Sequence, residues 1–522
     1  MDHKKASDAL KSAKNIVDSG LSHLRSQGKP EENQAFLYEL AHASSAHVIA
    51  ESFLDYADNG PKESQIVEIF CADVLRSVAT ISFGREETWE LDNSDLELIR
   101  AYVTSHGTPE LYAQNFQNQG KLSLNDDMEL VAETFRRFGR DHIMNVAEEV
   151  HRQDLDVPES IISGLADLGC FGLSIPVEYG GSATGSTQDM HAMVIATEEL
   201  SRASLSIGGS LITRPEILAR AIENGGTEKQ KKDFLPEIAS GRSMSAVAVT
   251  EPDHGSDVAS ITTTARKKGD EIWELNGVKT WCTFAGRADL LMVLARTNPD
   301  LSIGHRGLSV FVVRKEQIAG HSFDLKQDSG GRMQGRAIPT LGYRGMHSYE
   351  ISFQDWQVPA EALIGGPDGE GRGFYLQMAG FENGRLQTAA RAVGVMQRAY
   401  EEALKYSEER KVFGQSLSGY QLTQIKLGRM AALIQACRQY TYKVSELMST
   451  GSGTLEAAMV KAYACKAAEW VTREAMQIHG GFGYAEEYVV SRLFVDARVL
   501  SIFEGADEAL CLKLIGRRLL AG

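Results

Sequence analysis

The sequence of 522 residues has no apolar run that approaches the roughly 20 residues needed to cross a bilayer. Its six cysteines are scattered without a CxxC pair, and its 13 histidines form no HExxH pattern. We therefore expect neither a disulfide framework nor a metal site, so any redox chemistry requires an organic cofactor. No GxGxxG segment follows a predicted strand and opens a helix, which argues against a Rossmann dinucleotide site.

Positive charge is also scarce. Lys and Arg number 54 against 70 Asp and Glu, which gives a formal net charge of −16. Nucleic-acid phosphates would repel such a chain, so we expect no nucleic-acid partner. The N-terminus has neither the apolar core of a secretory signal nor the Arg-rich, acid-poor composition of a transit peptide. A cytoplasmic bacterial protein that does not bind membranes is expected.

Hydrophobic periodicity predicts an α+β multidomain fold. Apolar residues recur at helical spacing near both ends of the chain, whereas the middle has the short apolar segments and turn signals of strands. Hairpins are predicted at Lys268-Gly269-Asp270 and at Asn276-Gly277. The predicted domains are a helical N-terminal extension (1–120), a helical domain (121–242), a middle antiparallel β-barrel or sandwich (243–365) and a C-terminal helical bundle (366–522).

Six short motifs follow one another along residues 122–520. They are VAVTEPDHGSD from Val247, NGxKxW from Asn276, LGYR from Leu341, ERKxFG from Glu409, QIHGGxG from Gln477 and FEG from Phe503. One such match would be weak, but their number and order together resemble the acyl-CoA dehydrogenase family. The resemblance implies that family's fold: a helical domain, a middle β-domain and a four-helix bundle, here preceded by an extra helical extension.

The resemblance also implies FAD as the cofactor. Trp281 is expected to cover the flavin face that lies away from the substrate. Arg410, Phe413 and Gln421 match positions that reach the FAD of a neighbouring subunit, which would make the active site dependent on at least a dimer. The full set of expected cofactor-binding residues is Val247, Val249, Thr250, Ser256, Trp281, Thr283, Arg410, Phe413, Gln421, Gln477, Gly481, Ala506 and Glu508.

Glu504 is the expected catalytic base. By resemblance it removes the substrate α-proton while the β-hydride passes to flavin N5, and its apolar neighbours suit this role. Some relatives place the base just before the Arg of an FxxxR motif, but that position is Gly384 here. Without these motifs, a Glu before a helix such as Glu504 is more often a cap or a solvated charge. For Glu382 and Arg385, a salt bridge within a helix is an equally good interpretation. The expected substrate-binding residues are Arg214, Ser256, Glu382, Arg385, Phe503 and Gly505.

Three departures from simple fatty acyl-CoA dehydrogenases narrow the expected substrate. They are the N-terminal extension, a longer helix and loop at Ile212–Leu218, and an insertion at Lys326–Pro339. Together they resemble the branch of the family that oxidises (2S)-methylsuccinyl-CoA to mesaconyl-CoA in the ethylmalonyl-CoA pathway. The free carboxylate of that substrate would be costly to bury unpaired. Arg214 is the expected partner, because its guanidinium can hold a carboxylate with two hydrogen bonds; a surface Arg at a helix start is the alternative.

Other functions stay open from the sequence alone. A short- or medium-chain fatty acyl-CoA dehydrogenase would differ in substrate range, and an FAD-retaining binding or scaffolding protein would not turn over acyl-CoA. A flavin monooxygenase on the same scaffold would need no Glu at position 504. The resemblance further implies electron-transfer flavoprotein as the electron acceptor. A homodimer is favoured over a tetramer if the extension replaces contacts that a second dimer makes in tetrameric relatives.

Overall fold

The computed structural model describes residues 3–29 and 32–521. These residues form two compact units. The first unit combines the described residues of Met1–Glu133 with those of Thr388–Gly522, and the second is Thr134–Gln387. The first unit therefore contains the extension and most of the C-terminal helices, whereas the second contains the central sheet.

The N-terminal extension is helical, as predicted. Its helices are α1 (His3–Ser26), α2 (Gln34–Phe53), α3 (Pro61–Ser82), α4 (Asn93–His106) and α5 (Pro109–Gln114). Helix α3 begins with a proline, a residue suited to the first turn because the N–H it lacks would have no partner there. Helices α4 and α5 begin after Asp92 and Thr108, whose side chains accept hydrogen bonds from backbone N–H groups of the first turn.

The region that precedes the sheet is helical, and side chains cap the first turn of two of its helices. Its helices are α6 (Asp126–Phe138), α7 (Met144–Gln153), α8 (Glu159–Asp167), α9 (Thr187–Ala203), α10 (Leu211–Gly225) and α11 (Glu228–Ala239). Reciprocal side-chain and backbone hydrogen bonds cap two of them, between Ser186 and Asp189 for α9 and between Thr227 and Gln230 for α11. Such capping boxes satisfy N–H groups that a helix start would otherwise leave unpaired.

The strands form one eight-stranded sheet in the second unit. They are β1 (Ser245–Ala248), β2 (Thr264–Lys267), β3 (Ile272–Thr283), β4 (Leu290–Arg296), β5 (Leu308–Arg314), β6 (Ser322–Lys326), β7 (Arg332–Ile338) and β8 (Ser348–Pro359). The order is β1-β4-β2-β3-β8-β7-β6, and β5 also pairs with β4. Most pairs are antiparallel, as predicted, but β1 and β2 each run parallel to β4.

Strand β4 shows why the middle of the chain is so apolar. Its residues are all buried. Leu291, Val293 and Ala295 belong to one hydrophobic cluster, whereas Leu290 and the residues that alternate with it belong to another that includes α10 and α11. Because successive side chains of a strand point to opposite faces, a strand covered on both faces needs an unbroken apolar run.

One of the two predicted hairpins is wrong. The turn at Lys268-Gly269-Asp270 joins the antiparallel strands β2 and β3, as predicted. Asn276-Gly277, however, lies within β3, where the pairing with β8 shifts register. Gly277 has a φ of 143°, and a Cβ there would lie 2.7 Å from the Thr263 Cα. This glycine therefore permits a bulge and a close backbone approach rather than a chain reversal.

The C-terminal region returns to helices, as predicted. These are α12 (Gly373–Glu409), α13 (Gln421–Ser449), α14 (Thr454–His479), α15 (Val489–Leu500), α16 (Asp507–Ala509) and α17 (Gly516–Ala521). A small hairpin of β9 (Lys411–Val412) and β10 (Gln415–Ser416) joins α12 to α13. None of the helices in the described part of the chain is long and apolar enough to span a membrane.

Within the first unit the extension packs closely on the C-terminal helices. A Cβ at Gly428 of α13 would lie 2.1 Å from the Tyr112 carbonyl oxygen, so glycine permits α5 to approach this helix. Arg429 of α13 pairs with Asp73 of α3 at 2.7 Å. The Tyr400 hydroxyl of α12 donates to the Phe116 carbonyl at 2.8 Å. The extension is thus an integral part of this unit.

Candidate active site

The predicted site residues fall into two groups, one in each unit. The second unit contains Arg214, Val247, Val249, Thr250, Ser256, Trp281, Thr283, Glu382 and Arg385. The first unit contains Arg410, Phe413, Gln421, Gln477, Gly481, Phe503, Glu504, Gly505, Ala506 and Glu508.

A buried ion pair holds the loop that follows β1. Lys279 of β3 is completely buried and donates to the Val249 carbonyl at 2.8 Å and to Oε1 of Glu251 at 2.9 Å. Backbone N–H groups of Thr262 and Thr263 donate to the two carboxylate oxygens at 2.7 and 2.8 Å. Both oxygens are thereby satisfied, which a buried charge requires. The pair fixes the backbone on which Val249 lies.

Burial and pairing act in opposite directions on these two charges. Burial raises the pKa of Glu251, but the Lys279 ammonium and the hydrogen bonds from Thr263 and Thr262 outweigh it and bring the pKa to about 2. Burial lowers the pKa of Lys279, and the Glu251 carboxylate opposes that shift. The carboxylate is therefore ionised at neutral pH, so the loop depends on a charged clamp.

An irregularity in β3 turns Trp281 outward. The pairing of β3 with β8 shifts register between Lys279 and Cys282, and Trp281 has a left-handed backbone with a φ of 58°. The adjacent Thr280 N–H supports this conformation by donating to the Thr250 carbonyl at 2.8 Å. The Trp281 residue is 55% exposed. An exposed indole on a strained backbone indicates a ligand contact more readily than a packing role.

Thr283 lies at the end of the same strand. Its hydroxyl pairs with the Ser348 hydroxyl at 2.9 Å, and the residue is buried. The next residue, Phe284, donates its N–H to the His347 carbonyl at 2.8 Å. These bonds hold the end of β3 against the start of β8. These bonds therefore fix the position of the Thr283 side chain, which lies two residues after Trp281 in the chain.

Arg214 is a buried residue of α10, which rules out the surface alternative. It is 7% exposed, and its carbonyl accepts a hydrogen bond from the Ser245 hydroxyl at 3.0 Å. Its Nη2 lies 3.5 Å from the hydroxyl of Tyr343, a buried residue with a φ of 60°. Burial raises the pKa of the Cys282 thiol to about 12, although the charges of Lys279 and Arg214 oppose this. The guanidinium therefore lies in a buried environment beside the Tyr343 hydroxyl.

The remaining predicted residues of the second unit are more exposed. Ser256 lies on the exposed loop after β1, and Glu382 and Arg385 are half-buried on α12. Val247 within β1 and Thr250, two residues after β1 ends, are also half-buried. The structure therefore brings Val249, Thr250, Trp281 and Thr283 together around the ends of β1 and β3.

Glu504 lies in a strained turn between α15 and α16. Its φ is 53° and that of Gly505 is 99°. The Asp507 N–H donates to the Ser501 carbonyl at 3.0 Å and closes the turn. Oε2 of Glu504 is buried from solvent. A non-glycine residue in such a backbone costs about 1 kcal/mol or more, so the surroundings must hold it there.

Two buried cations support this turn within the first unit. Lys461 of α14 is completely buried and donates to the Gly505 carbonyl at 2.5 Å. Burial lowers the pKa of Lys461, an effect that nearby negative groups oppose. The guanidinium of the buried Arg391 lies 4.7 Å from the centre of the Phe503 ring and donates to the Thr388 hydroxyl at 2.6 Å. Both neighbours of Glu504 are therefore held by fixed charges.

The residues expected to reach a neighbouring subunit are exposed. Phe413 is completely exposed at the tip of the β9–β10 hairpin, with a φ of 49°. The Arg410 guanidinium lies 6.0 Å from the centre of the Phe482 ring. This contact links the start of the hairpin to the segment that follows α14. The exposed group also includes Gln421, Gln477 and Gly481. Exposed aromatic groups of this kind indicate an interaction surface.

Two sets of potential metal ligands occur in the described residues, although none was predicted from the sequence. They are His42, Asp507 and Cys511, and Asp154, His321 and His347. In each set a cationic side chain already lies near the carboxylate. Lys466 is 3.5 Å from Asp507, and Arg344 is 3.7 Å from Asp154. These cations compete with a metal ion, so neither set is assigned as a metal site.

Known protein families match the chain in three consecutive segments. The acyl-CoA dehydrogenase N-terminal domain matches residues 125–242, the middle domain matches 246–356 and the C-terminal domain matches 371–520. The chain belongs to the acyl-CoA dehydrogenase family. It is therefore an enzyme of a family of flavin-dependent oxidoreductases.

Relatives within the acyl-CoA dehydrogenase family cover most of the chain. A (2S)-methylsuccinyl-CoA dehydrogenase of Cereibacter sphaeroides is 39% identical over 478 residues, which are 88% of this chain and 85% of the relative. An acyl-CoA dehydrogenase of Bacillus subtilis (strain 168) is 33% identical over 402 residues, covering 77% of this chain and all of the relative. The similarity to the first relative thus extends further along the chain.

Solved structures of acyl-CoA dehydrogenases share the fold. A glutaryl-coenzyme A dehydrogenase in complex with glutaryl-CoA superposes with a TM-score of 0.70 and 30% identity, covering 76% of this chain and 96% of that one. The butyryl-CoA dehydrogenase of Megasphaera elsdenii has a TM-score of 0.69 and 32% identity, with coverage of 76% and 99%.

Several residues that support the site have no role assigned from the sequence. Lys279 and Tyr343 lie in motifs that were recognised, but only the fold shows that one holds the β1 loop and the other contacts Arg214. Lys461 is a charged residue within the otherwise apolar, alanine-rich stripe of α14, a signal that could have identified it. The contact of Ser348 with Thr283 joins residues 65 positions apart.

We predict that Lys279→Met lowers the free energy of unfolding by about 3–5 kcal/mol, because Glu251 is then left as an unpaired buried charge. Urea unfolding followed by circular dichroism measures this. The control is Lys268→Met, which removes an exposed ion pair with Glu274 (3.2 Å) and should cost at most about 1 kcal/mol. Equal losses in both variants would contradict the role of the clamp.

The pH dependence of the clamp follows from the low pKa of Glu251. Because its folded pKa of about 2 lies below its unfolded value, its contribution to stability is complete above the unfolded pKa and disappears as pH falls toward 2. The double variant Glu251→Gln/Lys279→Met should therefore lose less stability over this acidic range than the unmodified protein.

Proposed function

We propose that this enzyme catalyses the FAD-dependent α,β-dehydrogenation of a short branched dicarboxylic acyl-CoA, (2S)-methylsuccinyl-CoA, to mesaconyl-CoA. The observation that carries the proposal is Glu504, a carboxylate in a strained turn whose Oε2 is shielded from solvent. The similarity to a (2S)-methylsuccinyl-CoA dehydrogenase over 88% of the chain supports the substrate. The enzyme would then act in the ethylmalonyl-CoA pathway.

The residues near the ends of β1 and β3 fit a flavin. The 55% exposed Trp281 offers a flat apolar surface for one ring face, and Thr283 and the loop after β1 offer hydroxyl and backbone donors for the ring edge. In the first unit, Arg410 suits a pyrophosphate because a guanidinium can form paired hydrogen bonds with phosphate oxygens. When bound, FAD would supply the hydride acceptor for the substrate β-carbon.

Glu504 would remove the proton from the α-carbon, which the adjacent thioester makes acidic. A general base must have a fixed position, because a displacement of about 1 Å can lower a rate by about a hundredfold. The bond from Lys461 to the Gly505 carbonyl and the packing of Arg391 on Phe503 fix the backbone on both sides of the base. The backbone N–H of Glu504, whose direction the turn fixes, would donate a hydrogen bond to the enolate oxygen and stabilise it.

The first test is whether the flavin is reduced. The protein purified with FAD should lose its visible flavin absorbance when (2S)-methylsuccinyl-CoA is added without oxygen. We predict that Glu504→Gln retains its flavin but is reduced about a thousandfold more slowly, as expected for loss of a general base.

The control for this test is Glu446→Gln, which changes an exposed carboxylate on α13 and should be reduced at the normal rate. If the unmodified holoprotein is not reduced by any acyl-CoA, a binding or scaffolding function becomes the better explanation. Rapid reduction of the Glu504→Gln variant would instead refute Glu504 as the base.

Arg214 supports a dicarboxylic substrate. The guanidinium is buried in the second unit beside the Tyr343 hydroxyl, and both groups can donate hydrogen bonds to a carboxylate. The relative named for methylsuccinyl-CoA and the solved structure with glutaryl-CoA both concern substrates with a second carboxylate. The substrates of the alternative, a short- or medium-chain fatty acyl-CoA dehydrogenase, have no second carboxylate for these donors to bind.

We predict that Arg214→Ala lowers kcat/KM for (2S)-methylsuccinyl-CoA by about a hundredfold, consistent with about 3 kcal/mol for hydrogen bonds to a charged group. The slow reduction of the flavin by butyryl-CoA should not decrease, because that substrate lacks the second carboxylate. A panel of acyl-CoAs with an artificial electron acceptor measures both. Equal losses on the two substrates would point to a structural role for Arg214.

The exposed group around Phe413 supports a homo-oligomer in which this surface meets a second subunit. Phe413→Asp should shift the protein from dimer to monomer and reduce its bound FAD, because burial of a charge opposes association. Light scattering after size-exclusion chromatography measures the mass. Phe83→Asp is the matched control, because Phe83 is also strongly exposed (83%) but lies in the extension. A dimer that persists in the Phe413 variant would contradict this interface.

The electron acceptor we propose is electron-transfer flavoprotein. One solved structure with the same fold and 31% identity is named for the electron transferring flavoprotein of Acidaminococcus fermentans. We also predict that the protein is a dimer rather than a tetramer and that it is located in the cytoplasm.

A further inference from the structure

The buried carboxylate of Asp507 connects the extension to the turn that carries Glu504. Asp507 is 3% exposed, and its N–H closes the turn on Ser501. Two groups of α2 contact its Oδ2: the Tyr38 hydroxyl at 2.5 Å and Nε2 of His42 at 3.1 Å. Lys466 of the bundle lies farther from the same oxygen, at 3.5 Å. The closest side-chain contacts of this carboxylate therefore come from the extension, more than 460 residues away in the chain.

The two side chains from the extension also contact each other. Tyr38 and His42 lie one helical turn apart, and their rings meet edge to face with centres 4.8 Å apart. The pKa of Asp507 falls to about 2, because the bonds and charges around it, His42 foremost, outweigh the effect of burial. A hydrogen bond to a charged acceptor is stronger than one between neutral groups. The contact is therefore a strong and directed one.

Apolar packing places α2 beside the same segment. Ala41 shares a hydrophobic cluster with Leu510, Cys511 and Ile515, which follow Asp507 in the chain, and Tyr38 packs against that cluster. The helix thus contacts both the carboxylate that closes the turn and the apolar residues just after it. Movement of α2 would alter the end of the turn at Asp507.

The turn needs such support because its backbone is strained. Glu504 and Gly505 both have positive φ values. Lys461 holds the middle of the turn at the Gly505 carbonyl, but its end is defined by Asp507. A conformation of this kind persists only where surrounding contacts over-determine it.

We propose that Tyr38 and His42 are positioning residues: through Asp507 they set the orientation of Glu504, so that the extension takes part in proton removal without touching the substrate. This inference rests on the proposed function, because it assigns the extension a role in the reaction of Glu504. A positioning role differs from a purely structural role. In a purely structural role, loss of the contact would lower the stability of the protein but leave the rate of flavin reduction by bound substrate unchanged.

Anaerobic stopped-flow measurements of flavin reduction in the full-length holoprotein test the proposal. We expect Tyr38→Phe and His42→Ala each to lower the limiting reduction rate about tenfold or more, because a displaced base loses rate steeply. The substrate Kd, read from the spectral change on binding, and the FAD content should change less than about twofold, since neither residue contacts ligand. His42→Gln should recover most of the rate, because its amide can still donate to Asp507.

Tyr56→Phe is the matched control. Tyr56 belongs to the extension as Tyr38 does, although it is buried whereas Tyr38 is half-buried, and its hydroxyl donates to the Lys121 carbonyl at 2.6 Å, away from the turn. Removing this hydroxyl should leave the reduction rate unchanged. Hydrogen–deuterium exchange over residues 501–507 gives a readout independent of activity: we expect faster exchange in Tyr38→Phe than in Tyr56→Phe.

The outcomes separate the two proposals. If the unmodified protein is not reduced by acyl-CoA, the proposed function fails and this inference with it. If reduction is fast and Glu504→Gln abolishes it, but Tyr38→Phe and His42→Ala react at the normal rate, only the inference is overturned. Equal rate losses in Tyr38→Phe and Tyr56→Phe would likewise overturn it, since they would indicate a general loss of stability. Where Tyr38→Phe fails to fold, the comparison of His42→Ala with His42→Gln decides.

Discussion

In each of two candidate functional loops, a buried ammonium group donates to a backbone carbonyl and holds the loop in place. Lys279 binds the Val249 carbonyl beside the predicted flavin contacts, and Lys461 binds the Gly505 carbonyl beside the predicted base. Burial lowers the pKa of both lysines, so each depends on nearby acceptors to remain charged. Because the low dielectric of a dry interior strengthens the attraction between an ammonium group and a carbonyl oxygen, these bonds fix the loops more firmly than solvent-exposed bonds would.

Such anchors are needed because several candidate functional side chains lie on strained backbone. Trp281, Tyr343, Phe413 and Glu504 all have positive φ values. A left-handed residue points its side chain in a direction that regular strands and helices cannot provide. The strain is tolerated in the first unit by Lys461 and Arg391 around Glu504, and in the second unit by the register shift of β3 and the bonds of its neighbours.

The residues on which the proposed substrate and the proposed role of the extension depend are also polar groups in dry surroundings. Arg214 and Tyr343, the proposed partners of a second substrate carboxylate, are both buried, and Asp507 gives the extension a charged contact beside the predicted base. A buried charge is costly without partners, so each of these groups limits what can occupy its surroundings. The proposed specificity and the proposed role of the extension thus depend on the same physical penalty.

The sequence by itself determined the periodic elements and the family. Helical and strand spacing predicted the three helical regions and the sheet, and six ordered motifs identified the family and the candidate residues, since these signals are local. Only the tertiary structure decided which residues meet. The parallel pairing of β1 with β4, the bulge at Gly277, the contact of Arg214 with Tyr343 and that of Tyr38 with Asp507 all join distant segments. Spacing along one chain carries no information on such contacts, because they depend on how elements pack.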